Sequence, residues 1–139
     1  MTAAITLRPQ DLATLADIDP DGVAASTGDD QLTNFDLDRW SNRFARIILS
    51  LGAQRGSAIA LAIDPTIESI VVAWALAKSG AIGVDVSADI PQAKIGITTR
   101  ARRDALSDSV EWLILDEPAT MRRYMTVNDG PLETSNVAA

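Results

Sequence analysis

The chain has 139 residues, with 12 basic and 19 acidic side chains and a formal net charge of −7. This acidic balance argues against non-specific binding to nucleic acid or to an anionic membrane surface. Cysteine and histidine are absent, which excludes disulfides, thiolate chemistry, and the commonest general base and zinc ligand. No apolar run is long enough to span a bilayer, and the N-terminus lacks the order of a signal peptide. We therefore expect a cytoplasmic protein without nucleic-acid or membrane partners.

The first thirty residues predict a short helix followed by a β-hairpin. Residues 9–18 carry a helical pattern, and the sequence Asp-Pro-Asp-Gly at 19–22 breaks the chain. Two short runs, 23–26 and 31–33, flank a polar, glycine-containing turn at 27–30, which is typical of an antiparallel hairpin.

The most strongly patterned stretch is residues 31–46, QLTNFDLDRWSNRFAR, which predicts a capped helix from about 34 to 51. Thr33 is a suitable N-cap, and Asp36 three residues later fits a capping box. Gly52 supplies the left-handed residue that commonly ends a helix. The apolar side chains expected on one buried face are Leu37, Trp40, Phe44, Ile47, Ile48 and Leu51, whereas Arg39, Asn42, Arg43 and Arg46 lie mostly off it.

Short apolar runs then alternate with helical patterns. Strands are predicted at 57–63, 81–86 and 110–115, each bounded by turn residues. Strands that alternate with helices at intervals of about thirty residues favour right-handed βαβ units. The fold class expected is α/β, with a small parallel sheet flanked by helices and an N-terminal hairpin.

Two helices are predicted between these strands. Asp64 is expected to cap the first, with Pro65 at its first position and Gly80 at its end. The second is a weaker pattern over 91–106, interrupted by Gly96. We expect one domain over residues 1–125 and a disordered tail over 126–139, where the sequence becomes polar.

The predicted strand tips are the places where an open α/β sheet binds ligands. They read 63–66, 86–89 and 115–118, and none combines glycines with the lysine that a phosphate cradle uses.

The acidic residues at these tips leave two interpretations open. Asp64, Asp116 and Glu117 resemble the clustered acids of a receiver-like Mg²⁺ site, but no lysine follows position 94 to complete one. Alternatively, Asp64 and Asp89 cap helices, and the acidic pair after the third strand forms a turn. We favour this second interpretation.

Tryptophans and arginines are the remaining candidates for binding. Trp40 and Trp74 lie on apolar helical patterns and Trp112 lies within a strand, which favours core packing over ligand stacking. The basic run at 100–103, Arg-Ala-Arg-Arg, is typical of a solvated helix face, with a partner-binding patch as the alternative.

Two motifs carry a family resemblance. Residues 32–37, LTNFDL, are similar to a core motif of the type LTYxEL, with the aromatic displaced by one place. Residues 77–87, AKSGAIGVDVS, are similar to LKAGAAYVPLD, with Gly83, Asp85 and Ser87 at the tyrosine, proline and final aspartate positions. The chain thus resembles the N-terminal part of the adenylate-forming (AMP-binding) enzymes, which include acyl-CoA synthetases, fatty acyl-AMP ligases and peptide synthetase adenylation domains.

The resemblance implies an ATP- and Mg²⁺-dependent acid–AMP ligase as the parent enzyme. It covers roughly residues 10–118, and the family's phosphate loop, ribose-binding aspartate and catalytic lysine have no counterpart here. We therefore assign no catalytic, cofactor-binding or metal-binding residue and expect no cofactor. We expect a truncated domain that is non-catalytic alone. It is expected to associate with itself or with a protein partner that covers its open surface. The alternatives are the N-terminal half of a split acyl-CoA synthetase or acyl-AMP ligase, and a receiver-like acidic metal-binding domain.

Overall fold

Helices and strands alternate along most of the chain. The structure is a computed structural model that describes residues 8–85, 93–130 and 132. Among these residues, no helix is long and apolar enough to cross a membrane. In chain order the elements are α1 (Pro9–Ile18), β1 (Val23–Thr27), β2 (Asp30–Thr33), α2 (Asn34–Ser50), β3 (Ala58–Ala62), α3 (Ile67–Ser79), β4 (Ile82–Asp85), β5 (Ile95–Thr98), α4 (Arg100–Arg103), β6 (Glu111–Ile114) and α5 (Pro118–Thr126).

Four of the strands form a parallel sheet in the order β4-β3-β5-β6, and β1 and β2 form a separate antiparallel hairpin. Ile59 of β3 is aligned with Gly83 of β4 on one side and with Ile95 of β5 on the other. The predicted α/β class, the parallel sheet and the hairpin are confirmed. The chain adds β4 on one side of β3 and β5 on the other, so the direction of strand addition reverses between β3 and β5.

Helix α2 forms where its sequence predicts, and the Thr33 half of the expected capping box is present. The Thr33 hydroxyl accepts a hydrogen bond from the Asp36 backbone N–H at 3.0 Å, and Gly52 has a φ of 105° just beyond the helix. One prediction for this helix is wrong, because Trp40 is 41% exposed and lines a cavity instead of packing in the core. The other predicted side chains are buried or partly buried against the core: Leu37, Phe44, Ile47, Ile48 and Leu51.

Helix α3 begins later than predicted, and Asp64 is not its cap. Thr66 is the N-cap: its hydroxyl accepts from the Ser69 N–H at 3.4 Å, while the Ser69 hydroxyl accepts from the Thr66 N–H at 2.9 Å. This reciprocal pair satisfies two N–H groups at the start of the helix, which an aspartate two residues earlier does not do. Gly80 ends the helix with a φ of 78°, as predicted.

The predicted helix over 91–106 is wrong for most of its described length. Residues 95–98 form strand β5, which lies between β3 and β6 with all four residues buried, and only 100–103 are helical. Residues 91 and 92 lie outside the described part of the chain. Gly96 is not a helix interruption, because a Cβ at that position would lie 2.3 Å from the Trp112 ring on β6. The glycine therefore makes room for that indole.

Helix α5 was not predicted. The expected turn after β6 is present at Leu115 and Asp116, but Pro118 then opens a helix, a position that proline favours. No residue of α5 is buried. Most of the tail expected at 126–139 lies outside the described residues, whereas Asp129 and Gly130 accept hydrogen bonds from α2.

We predict that Gly96→Ala destabilises the protein by about 1–3 kcal/mol, because the new methyl group forces the Trp112 ring to move within a packed sheet. Movement of the ring also disturbs the hydrogen bond that its Nε1–H donates to the Ser107 carbonyl at 2.7 Å. Urea unfolding followed by circular dichroism measures the change. Gly28→Asn is the control: Gly28 has open space around it and a φ of 55° that asparagine tolerates. Equal destabilisation by both substitutions would contradict the packing role of Gly96.

Candidate functional site

A cavity of about 630 Å³ lies at the carboxyl ends of β3, β5 and β6. Helices α2 and α3 form its walls and α5 lies across it. Its buried lining side chains are Phe44, Ile67, Val71 and Val72. Aromatic and sulfur-containing side chains complete the apolar lining: Trp40, Tyr124, Met121 and Met125. In open α/β sheets ligands bind at this edge, where the direction of strand addition reverses.

The rim of the cavity is acidic. Asp64 and Asp116, two of the acids that the sequence singled out, both lie on it, and Glu68 in the first turn of α3 is a third acid that sequence reasoning missed. The Asp64 carboxylate pairs with the Arg102 guanidinium at 3.3 Å. The Asp116 carboxylate accepts a hydrogen bond from the Arg100 backbone N–H at 2.8 Å.

The third acid considered for a metal site, Glu117, does not join this rim. It is the N-cap residue of α5 and does not line the cavity. Asp89, which was expected to cap a helix, lies outside the described residues. Within residues 8–85, 93–130 and 132, no group of three or more His, Cys, Asp or Glu side chains is arranged to hold a metal ion. The receiver-like site stays a prediction.

The carboxyl edge of the sheet also lacks lysine. The chain contains two lysines. Lys94 directly precedes β5 and so lies at the opposite, amino-terminal edge of the sheet. Lys78 lies near the end of α3 and is buried. The described residues at the tips, 63–66 and 115–118, contain no glycine. These residues do not fit a triphosphate with its metal ion.

Lys78 is held in a buried polar cluster between α2 and α3. Its ammonium group donates to the Asp38 carboxylate at 2.8 Å, to the Asp38 carbonyl at 2.9 Å and to the Asn42 side-chain oxygen at 2.7 Å. All three donors of the ammonium are thus used. Burial lowers the pKa of Lys78, and the hydrogen bond and charge of Asp38 oppose that shift. The lysine therefore serves as a structural cation.

Asn42 extends this cluster to the segment that follows α5. Its side-chain nitrogen donates to the Asp129 carbonyl at 3.0 Å, while its oxygen accepts from Lys78. The sequence pattern placed Asn42 off the buried face of α2, and that interpretation is wrong: Asn42 is buried because both ends of its amide have partners. No local signal predicts this, since the partners are 36 and 87 residues away.

Arginines on the same side of α2 hold the chain around α5. Arg46 donates to the carbonyls of Asn128 and Gly130 at 3.0 and 2.5 Å. Arg43 lies 3.6 Å from the Asp129 carboxylate and stacks over the Tyr124 ring at 5.7 Å. These contacts position α5 over the cavity, although none of them is fully buried.

The remaining candidates from the sequence are dispersed. Trp74 is partly buried against the core, and the Trp112 ring covers Gly96, so both take structural positions. In the basic run, Arg102 pairs with Asp64 and Arg103 pairs with Asp108 at 2.7 Å. A partner-binding role for that run stays a prediction.

Comparison with solved structures identifies the class of fold. The N-terminal domain of FACL13 from Mycobacterium tuberculosis superimposes with a TM-score of 0.74 at 19% identity, and the match covers 91% of this chain and 37% of that one. The chain therefore has the fold of the first part of such a domain.

Comparison of sequences identifies the family. A family model described as AMP-binding enzyme matches residues 12–106. The chain is 29% identical over 126 residues to phosphinothricin tripeptide synthetase PhsC of Streptomyces viridochromogenes, covering 82% of this chain. It is 36% identical over 85 residues to a medium/long-chain-fatty-acid–CoA/3-oxocholest-4-en-26-oate–CoA ligase of M. tuberculosis, covering 60% of this chain. The chain belongs to the AMP-binding enzyme family.

The match is confined to a small part of each relative. The chain spans 11% of the length of the tripeptide synthetase and 16% of the length of the CoA ligase.

We predict that Lys78→Met destabilises the protein by about 3–5 kcal/mol, because it leaves the Asp38 carboxylate buried without a counter-charge. Asp38→Leu is expected to cost a similar amount, and the double variant is expected to recover most of the loss. Urea unfolding of all four proteins gives the coupling free energy. The control is Arg8→Met, which breaks an exposed ion pair with Asp11 at 3.9 Å and is expected to cost under about 1 kcal/mol. Additive losses in the double variant would contradict a coupled pair.

Proposed function

We propose that residues 1–139 act as a scaffold layer of an acid–AMP ligase and form no acyl-adenylate by themselves. The observation that carries this proposal is the position of the two lysines. Lys78 is buried and hydrogen-bonded between α2 and α3, and Lys94 lies at the amino-terminal edge of the sheet. Neither lysine therefore lies at the edge where ligands bind.

The electrostatics of the carboxyl edge support the same proposal. The cavity rim carries the carboxylates of Asp64, Glu68 and Asp116, and the one lining arginine, Arg43, is already paired with Asp129. Polyphosphate oxygens would be repelled there, because like charges at short range oppose binding unless a cation intervenes. The phosphates of ATP must therefore be bound by other segments of an adenylate-forming enzyme.

A scaffold role requires a surface for those other segments, and strand β4 supports one. Within the described residues β4 pairs only with β3, and Ile82 on this strand is 56% exposed. A strand at the edge of a sheet can pair with a further strand, and residues 82–84 of β4 are the part that we propose for this role. We propose that the remaining parts of the adenylate-forming fold, on the same polypeptide or on a separate one, dock against this side.

Titration calorimetry of the 139-residue chain with ATP and Mg²⁺ tests the proposal, together with ATP–pyrophosphate exchange in the presence of fatty and amino acids. We expect no saturable heat at millimolar ATP and no exchange above a protein-free blank. The matched control replaces Mg²⁺ with EDTA, which separates metal-dependent binding from ionic effects. A micromolar dissociation constant for ATP that requires Mg²⁺, or measurable exchange, would rule out a purely structural role.

A further inference from the structure

The apolar cavity beneath α5, whose acidic rim disfavours the phosphates of ATP, is built in a way that points to a ligand of another kind. It lies beside β3 and β5, where the direction of strand addition reverses. Its volume of about 630 Å³ falls within the range of about 300–1,000 Å³ that is typical of small-molecule sites.

The walls of the cavity are suited to a hydrocarbon body. Phe44, Val71 and Val72 are buried at its base. Met121 and Met125 lie on the α5 side and are 51% and 65% exposed. Methionine side chains are flexible and polarizable, so they adapt to apolar ligands of different shapes. Such exposure of large apolar side chains around a concave surface favours a binding site over a solvent-facing helix.

The charges on the rim favour a cationic head group. Arg43 is paired with Asp129, and Asp64 is paired with Arg102. Neither partner lines the cavity. The other two charged lining residues are both acids, Glu68 and Asp116, and neither has an ion-pair partner within the described chain.

Tyr124 is partly buried on the α5 side of the cavity. Burial raises the pKa of its phenol above the ordinary value, and the Arg43 guanidinium opposes that shift only in part. A phenol is neutral at physiological pH even at its ordinary pKa, so Tyr124 adds no negative charge to compete with the acids on the rim.

We propose that this cavity binds an apolar molecule that carries a single ammonium group. The hydrocarbon body packs against Phe44, Val71 and Val72, and the ammonium lies at the rim near the carboxylates of Glu68 and Asp116. This inference shares the acidic rim with the proposed scaffold role, but its test is distinct, because it uses probes without phosphate and no ATP.

The test compares three probes that share a ten-carbon chain: decylamine, decanol and decanoate, each below its aggregation limit. Binding to the full 139-residue chain is followed by NMR of ¹³C-labelled methionine methyl groups. The sequence contains three methionines, and two of them, Met121 and Met125, line the cavity, so their signals report occupancy directly. Substitution of each by leucine assigns the signals.

We expect saturable shifts of both methionine signals. Decylamine is expected to bind about threefold more tightly than decanol, a small factor because a partly exposed charge pair contributes little. Decanoate is expected to bind most weakly. Equal affinities for decylamine and decanol, tighter binding of decanoate, or no saturable shift at Met121 and Met125 would each overturn the proposal.

Two sets of variants locate the site. The double substitution Glu68→Gln and Asp116→Asn is expected to reduce the decylamine-to-decanol affinity ratio to about one, while Glu111→Gln, an exposed acid at the start of β6, leaves it near threefold. Val71→Phe fills the base of the cavity and is expected to weaken all three probes at least tenfold, with circular dichroism confirming the fold. The comparison of head groups on the unmodified chain decides the question even if Val71→Phe does not fold. A ratio that responds equally to Glu111→Gln would place the amine elsewhere and contradict the assignment.

Discussion

The packing of α2 against α3 depends on one buried cation. The Lys78 side chain is 5% exposed and lies between the Asp38 carboxylate, which is 12% exposed, and the Asn42 amide. A buried ammonium without these partners would cost several kcal/mol, so the two helices have one favourable register in which all three groups meet. Asn42 also donates a hydrogen bond to the Asp129 carbonyl beyond α5, which connects that segment to the same cluster. One polar cluster thus links α2, α3 and the C-terminal part of the described chain.

The cavity follows from this arrangement. Its base is built from apolar residues on the facing sides of α2 and α3, and its rim from the residues that follow β3 and β6 and from the first turn of α3. Helix α5 completes the enclosure, but it is held mainly by partly exposed contacts, such as Arg43 over Tyr124 and the hydrogen bond from Arg123 to the Ser50 hydroxyl. The site therefore combines two fixed helical walls with a third wall of lower local stability, which is common at ligand-binding positions.

The sequence predicted secondary structure correctly wherever the contacts that determine an element are close in sequence. The hairpin, helix α2 and strands β3, β4 and β6 follow from periodicity, capping and turn residues, and their alternation predicts the parallel sheet. Strand β5 was missed because four residues interrupted by a glycine resemble a weak helix, and only Trp112 on the neighbouring strand explains Gly96. Asn42 and Trp40 were misplaced for the same reason: their environments are set by residues far away in sequence. Helix α5 did offer a local signal, namely Pro118 at its start and apolar residues at positions 121, 124 and 125.

Native-state hydrogen exchange tests most directly whether α2, α3 and the sheet form a single cooperative unit around Lys78. The amides of α2, α3, β3 and β5 are predicted to exchange with the same free energy of opening, equal to that of global unfolding, and those of α5 with a lower one. Distinct opening free energies for α2 and α3 would contradict the account, because helices joined by the Lys78 cluster cannot open separately without leaving a buried charge unpaired.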